Sequence, residues 1–138
     1  MKQYRHKVQY YETDKMGITH HSNYIRWMEE ARIDFLGQLG WDYTRLEELG
    51  IGSSVLAIDC RYYTSTTFAD EISIMVSITE FKGVRLKLYY EMKNAAGDLV
   101  CEGRTEHCFV DKNGQPIALK KRIPEFSQAL LALKEEEE

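Results

Sequence analysis

The chain has 138 residues, of which 43% are hydrophobic and 12% aromatic, and a formal net charge of −4. That length suits one domain with a single sizeable core, and charged residues interrupt every apolar run before it reaches the length of a membrane span. Most of the negative charge sits in the terminal run 134–138, one lysine and four glutamates, so the body is close to neutral. A near-neutral body argues against a nucleic-acid binder working through bulk electrostatics.

The N-terminus is basic, but no apolar stretch of signal-peptide type follows it, so a cytoplasmic protein is expected. Residues 2–11 alternate, with Tyr4, His6, Val8 and Tyr10 on one side, and read as a first strand. The next stretch brings a carboxylate at Asp14, a glycine turn at Gly17 and a polar cap at Ser22 or Asn23. A long helix follows, its stripe formed by Tyr24, Trp27, Met28, Ala31, Phe35 and Leu39 at spacings of three and four. Gly40 ends it, and 42–48 reads as a second, short helix closed by Gly50 and Gly52.

The remainder is strand-rich. Leu56, Ile58, Cys60 and Tyr62 alternate with their neighbours, as do Ile72, Ile74, Val76 and Ile78, and then Val84, Leu86, Leu88, Tyr90 and Met92. Lys82-Gly83 predicts a tight hairpin, 94–98 a second turn into a strand over 99–110, and Asn113-Gly114 a third. Pro124 opens a last helix carrying Phe126, Leu130, Leu131 and Leu133. One strand, a long helix and a strand meander make an α+β arrangement with an antiparallel sheet. A single domain over 1–133 is expected, with 134–138 a frayed acidic tail.

The order around Asp14 aims a carboxylate at the open N-terminus of a helix, where unpaired N–H groups and the helix dipole favour negative charge. A base or nucleophile facing such donors is the minimum for acyl hydrolysis. Asp before a glycine turn is also a common way to close an Asx-turn. Glu29, Glu30 and Arg32 read as a charged helix face with pairing at i, i+3. Cys60, Cys101 and Cys108 lie in strand-like runs without metal-like spacing and read as reduced, buried thiols. His20 and His21 are adjacent but lack further ligands, so no metal site is expected.

Asp14, Gly17, His21, Asn23, Tyr24 and the run Trp27-Met28-Glu29-Glu30-Ala31-Arg32 resemble the signature of the 4-hydroxybenzoyl-CoA thioesterase-like family, and within it the short bacterial acyl-CoA thioesterases. The likeness extends over roughly 1–120. It implies a hot-dog fold, a long central helix wrapped by a curved antiparallel sheet of about five strands. It implies an acyl-CoA thioesterase that needs no metal or redox cofactor, coenzyme A being part of the substrate, and that assembles as a homodimer or dimer of dimers such as a homotetramer. Asp14 takes the place of the catalytic carboxylate, with attack on the carbonyl and activation of water both open. The backbone N–H groups near His21, Ser22 and Asn23 take the oxyanion site, and the His21 side chain assists or orients the leaving group.

Gly17 is then a turn needing positive φ or close approach of the acyl thioester. Tyr24 and Trp27 are acyl-pocket candidates, although a stripe at helical spacing also fits core. Arg61, Thr66, Lys82 and Arg85 are candidates for contact with coenzyme A, from their charge and from the hydroxyl-rich stretch 64–67. Two alternatives stand beside this reading: hydrolysis of a thioester carried on an acyl-carrier protein, and a non-catalytic protein that binds acyl thioesters.

Overall fold

The computed structural model describes the backbone of residues 1–137 and the side chains of residues 1–135. In chain order the elements are β1 (Tyr4–Lys7), a 3-10 turn (Tyr10–Glu12), α1 (Ser22–Gln38), α2 (Tyr43–Glu48), β2 (Gly52–Tyr62), β3 (Glu71–Phe81), β4 (Arg85–Lys93), β5 (Leu99–Val110), α3 (Leu119–Arg122) and α4 (Pro124–Glu137). The five strands form one antiparallel sheet in the order β1-β3-β4-β5-β2. β1 sets its register on β3 with Tyr4 opposite Ile74 and Lys7 opposite Glu71. No helix among the described residues is long and apolar enough to cross a membrane.

The period-two pattern is realised within β3 and β4, while Val84 lies before β4 and is only half-buried. Ile72, Ile74, Val76 and Ile78 are buried on β3, and Leu86, Leu88, Tyr90 and Met92 on β4. Gly83, at φ +93°, makes the turn between them, where Lys82 N–H donates to the Arg85 carbonyl at 3.3 Å. A side chain there would be strained, which explains the glycine.

Contacts divide the chain into two compact units. The first comprises Met1–Phe35, Cys60–Val76 and Tyr90–Gly103. Its core is Val8, Trp27, Met28, Ala31, Ile72, Ile74, Tyr90, Met92 and Val100, all at most 1% exposed. The second comprises Leu36–Asp59, Ser77–Tyr89 and the chain from Arg104 on. It is built round an aromatic series, with Trp41 stacked on Phe126 at 5.1 Å and Phe109 edge-on to Phe126 at 5.6 Å. Burying each such large side chain stabilises by about 1.5–3 kcal/mol. Asp42 caps α2 by accepting from Arg45 N–H at 2.8 Å, and Pro124 opens α4, where its missing N–H is no loss.

Several expectations are corrected. β1 stops at Lys7, because the Val8 N–H and carbonyl turn to Asp70 and Ala69, and the Glu12 carboxylate takes the Gln9 N–H. Tyr10 and Tyr11 are therefore exposed rather than alternating. Arg32 does not belong to a solvated charged face. It is buried and donates to the Tyr90 hydroxyl at 3.2 Å. α3 was not legible at all, and Leu39 lies just past the end of α1. β2 is open on both faces instead of half-buried, with Val55, Leu56, Ile58 and Tyr62 all exposed. α4 runs on through Lys134 to Glu137, where glutamate is a good helix former and nothing breaks the helix. Glu138 lies outside the described residues.

Candidate active site

The loop 13–21 carries the candidate chemistry, and its shape follows from local hydrogen bonding. Asp14 N–H donates to the Ile18 carbonyl and Gly17 N–H to the Asp14 carbonyl, at 2.8 and 2.9 Å. Asp14 Oδ1 accepts from Met16 N–H at 2.8 Å, so the Asx-turn is real. The described residues offer no such donor to Oδ2. Gly17 sits at φ +81° with open space where a Cβ would lie, so among protein groups the backbone angle alone accounts for the glycine. Thr67 ties the turn down by donating its hydroxyl to the Gly17 carbonyl at 2.8 Å.

Helix α1 begins at Ser22, and its leading N–H groups are taken up one by one. His20 N–H donates to the Glu12 carbonyl at 2.8 Å, Asn23 N–H to the His20 carbonyl at 3.0 Å, and Tyr24 N–H to the His21 carbonyl at 3.3 Å. Ser22 N–H donates to His20 Nδ1 at 3.2 Å, which makes the His20 ring the cap. The Asn23 side chain does not cap. It donates to the Glu12 and His20 carbonyls at 3.0 and 3.2 Å. Among the described residues, the His21 N–H meets no protein acceptor. The exposed rings of His20 and His21 stack at 4.3 Å.

Asp14 and His21 line one cavity of about 260 Å³, together with Met16, Ile18, Thr19, Tyr24, Tyr62, Tyr63, Thr64 and Ser65. Tyr24 is buried, with its hydroxyl 3.0 Å from Thr66 Oγ1. Burial holds its phenol above the ordinary value, against the hydrogen bond with Thr66. Partial desolvation, then the Cys60 thiol, pushes the Tyr62 phenol up to about 12. Both phenols thus stay protonated, and Tyr62 donates to the His21 carbonyl at 3.4 Å. Among the described residues, no group of three His, Cys, Asp or Glu side chains gathers to hold a metal ion.

The other candidates fall elsewhere. Trp27 is fully buried and does not line the cavity, because its indole N–H is committed to Glu12 Oε2 at 2.7 Å. Thr66 is 2% exposed, and its hydroxyl is engaged with Thr19 Oγ1 at 2.6 Å. Lys82 and Arg85 line a separate charged groove and are paired with Glu80 at 3.0 Å and Glu106 at 3.2 Å. Arg61 is exposed but not part of the cavity wall. The residue that the sequence reading passed over is Glu12. It is 4% exposed and accepts from Gln9 N–H, His6 Nε2 and Trp27 Nε1. Burial pushes its carboxyl up, but those three hydrogen bonds prevail and hold it below the usual carboxylate value.

A crystal structure of DHNA-CoA thioesterase from Staphylococcus aureus superposes with a TM-score of 0.92 at 30% identity, covering 99% of this chain and 95% of that one. The structure of the gentisyl-coenzyme A thioesterase BH1999 gives 0.83 at 27% identity, over 94% and 99%. The acyl-CoA thioester hydrolase YbgC of Escherichia coli is 28% identical over 124 residues, 88% of this chain and 92% of that protein. The architecture is the hot-dog fold that the sequence pattern resembles. A family model described as the thioesterase-like superfamily matches residues 8–133, and the chain belongs to that superfamily as a thioester hydrolase.

Proposed function

We propose that the protein hydrolyses an acyl-CoA thioester to a free acid and coenzyme A, with Asp14 as the reacting carboxylate and the His21 N–H as the oxyanion donor. The observation that carries this reading is the single cavity lined by both Asp14 and His21, at a helix start where the other leading N–H groups are already taken. The carboxylate attacks the carbonyl or activates a water on it, and the carbonyl oxygen gains charge in either case. One well-aimed donor lowers such a barrier by about 3–4 kcal/mol. The relatives named for acyl-CoA substrates support the leaving group. The donor is a backbone group, so changing the His21 side chain leaves it in place.

No metal or redox cofactor enters this chemistry. The long, open edge strand β2, with its exposed Val55, Leu56 and Ile58, supports assembly with a second copy of the chain. The test is release of free thiol from a series of acyl-CoAs, short to long and aromatic. Turnover supports the reading, and folded protein inactive on the whole series overturns it.

A further inference from the structure

Glu12 stands between the two halves of the proposed site. Its carboxylate accepts from His6 Nε2 at 2.8 Å, from Gln9 N–H at 2.8 Å and from Trp27 Nε1 at 2.7 Å. Its backbone carbonyl accepts from His20 N–H at 2.8 Å and from Asn23 Nδ2 at 3.0 Å. Asp14 is two residues downstream, and His21 follows the residue whose N–H the carbonyl holds. One buried residue thus ties the end of β1, the buried face of α1 and the first turn of α1 to the loop that carries the carboxylate.

We infer that Glu12 is the positioning residue of the site, setting Asp14 against the His21 N–H through its bonds to Trp27 and His20. This inference rests on the thioesterase reading above. The arrangement needs an acceptor at both carboxylate oxygens, because every group that meets them is a donor. An amide of the same shape would turn one oxygen into a second donor facing the Trp27 indole or the His6 ring, and the loop must shift to relieve it. A misplacement of about 1 Å between reacting groups costs up to roughly 100-fold in rate. Glu12 touches no reacting atom, so the loss falls on kcat, whereas substrate binding in the cavity changes little.

The experiment is Glu12→Gln, with Leu130→Ala in the buried face of α4 as a core control. Thiol release gives kcat and KM, and the indole N–H resonances of Trp27 and Trp41 are followed by NMR. The expected result is a shifted Trp27 indole signal, a kcat lower by on the order of 10- to 100-fold, and KM within about threefold, with kcat unchanged in the control. Trp27→Phe removes one donor and leaves the carboxylate, and a smaller kcat loss is expected from it should Glu12→Gln fail to fold. A kcat that falls no further in Glu12→Gln or Trp27→Phe than in the control overturns the inference. Wild-type protein without turnover on any thioester defeats the thioesterase reading instead. The positioning claim is then decided by the Asp14 and His21 amide resonances, which must move in Glu12→Gln and which overturn it if they stay.

Discussion

Asp14 holds its own loop by accepting from Met16 N–H with one oxygen, and the same residue lines the cavity. Gly17 shows the cost of that loop. At φ +81° with nothing near its Cβ position, Gly17→Ala meets only backbone strain, and a loss of about 1 kcal/mol in urea unfolding is expected. Glu12 carries a pH signature. Its carboxyl is held below the ordinary value of 4.5, so below about pH 4.5 the unfolded chain takes up a proton that the folded chain resists. Its contribution to stability is thus complete above that pH and is lost as pH falls through the folded value. Thermal melts from pH 7 to 3 should show a shallower acid decline in Glu12→Gln than in the wild type. Asp14, Gly17 and His21 stand out in the sequence through their resemblance to the family signature, since an Asp before a glycine turn is by itself an ordinary Asx-turn. Glu12 was not, since a glutamate in a polar turn looks solvated until His6 and Trp27 arrive from two other elements.

The regular elements follow local rules closely. β5 occupies 99–110 as its sequence predicts, and β3 and β4 bury alternate residues. Asp42 caps α2 at the residue where the short helix was expected to begin, and Asp42→Ala should destabilise by about 1 kcal/mol in chemical unfolding. Where reading failed, burial was decided by a distant partner. Thr66 sits in a hydroxyl-rich stretch that suggests a ligand contact, yet Thr19 and Tyr24 enclose its hydroxyl. Arg32 has the spacing of a surface charge, but Tyr90, far along the chain, receives it in the interior. β2 alternates in sequence, yet its side chains lie open on both faces, and it is the last strand of the sheet.

For the whole molecule, that open strand is the feature that the chain's own core does not explain. An eleven-residue edge carrying apolar side chains invites pairing with another chain. Sedimentation should show the wild type as a dimer or larger, and Ile58→Lys should shift it toward the monomer without unfolding it. A wild type that sediments as a monomer at micromolar concentration would contradict the assembly. The superfamily follows from the match over residues 8–133, and the sequence already carried the resemblance in the stretch from Asp14 to Arg32. The acyl preference was beyond its reach, because the cavity wall draws on Tyr62, Tyr63, Thr64 and Ser65, which lie about fifty residues from Asp14 in sequence. The role of Asp14 is decided by thiol release from acyl-CoAs, with the wild type and Asp14→Asn measured side by side. Turnover in the wild type and a fall of at least about 100-fold in the mutant are expected, as loss of a general base alone would give. Undiminished turnover in folded Asp14→Asn would contradict that role.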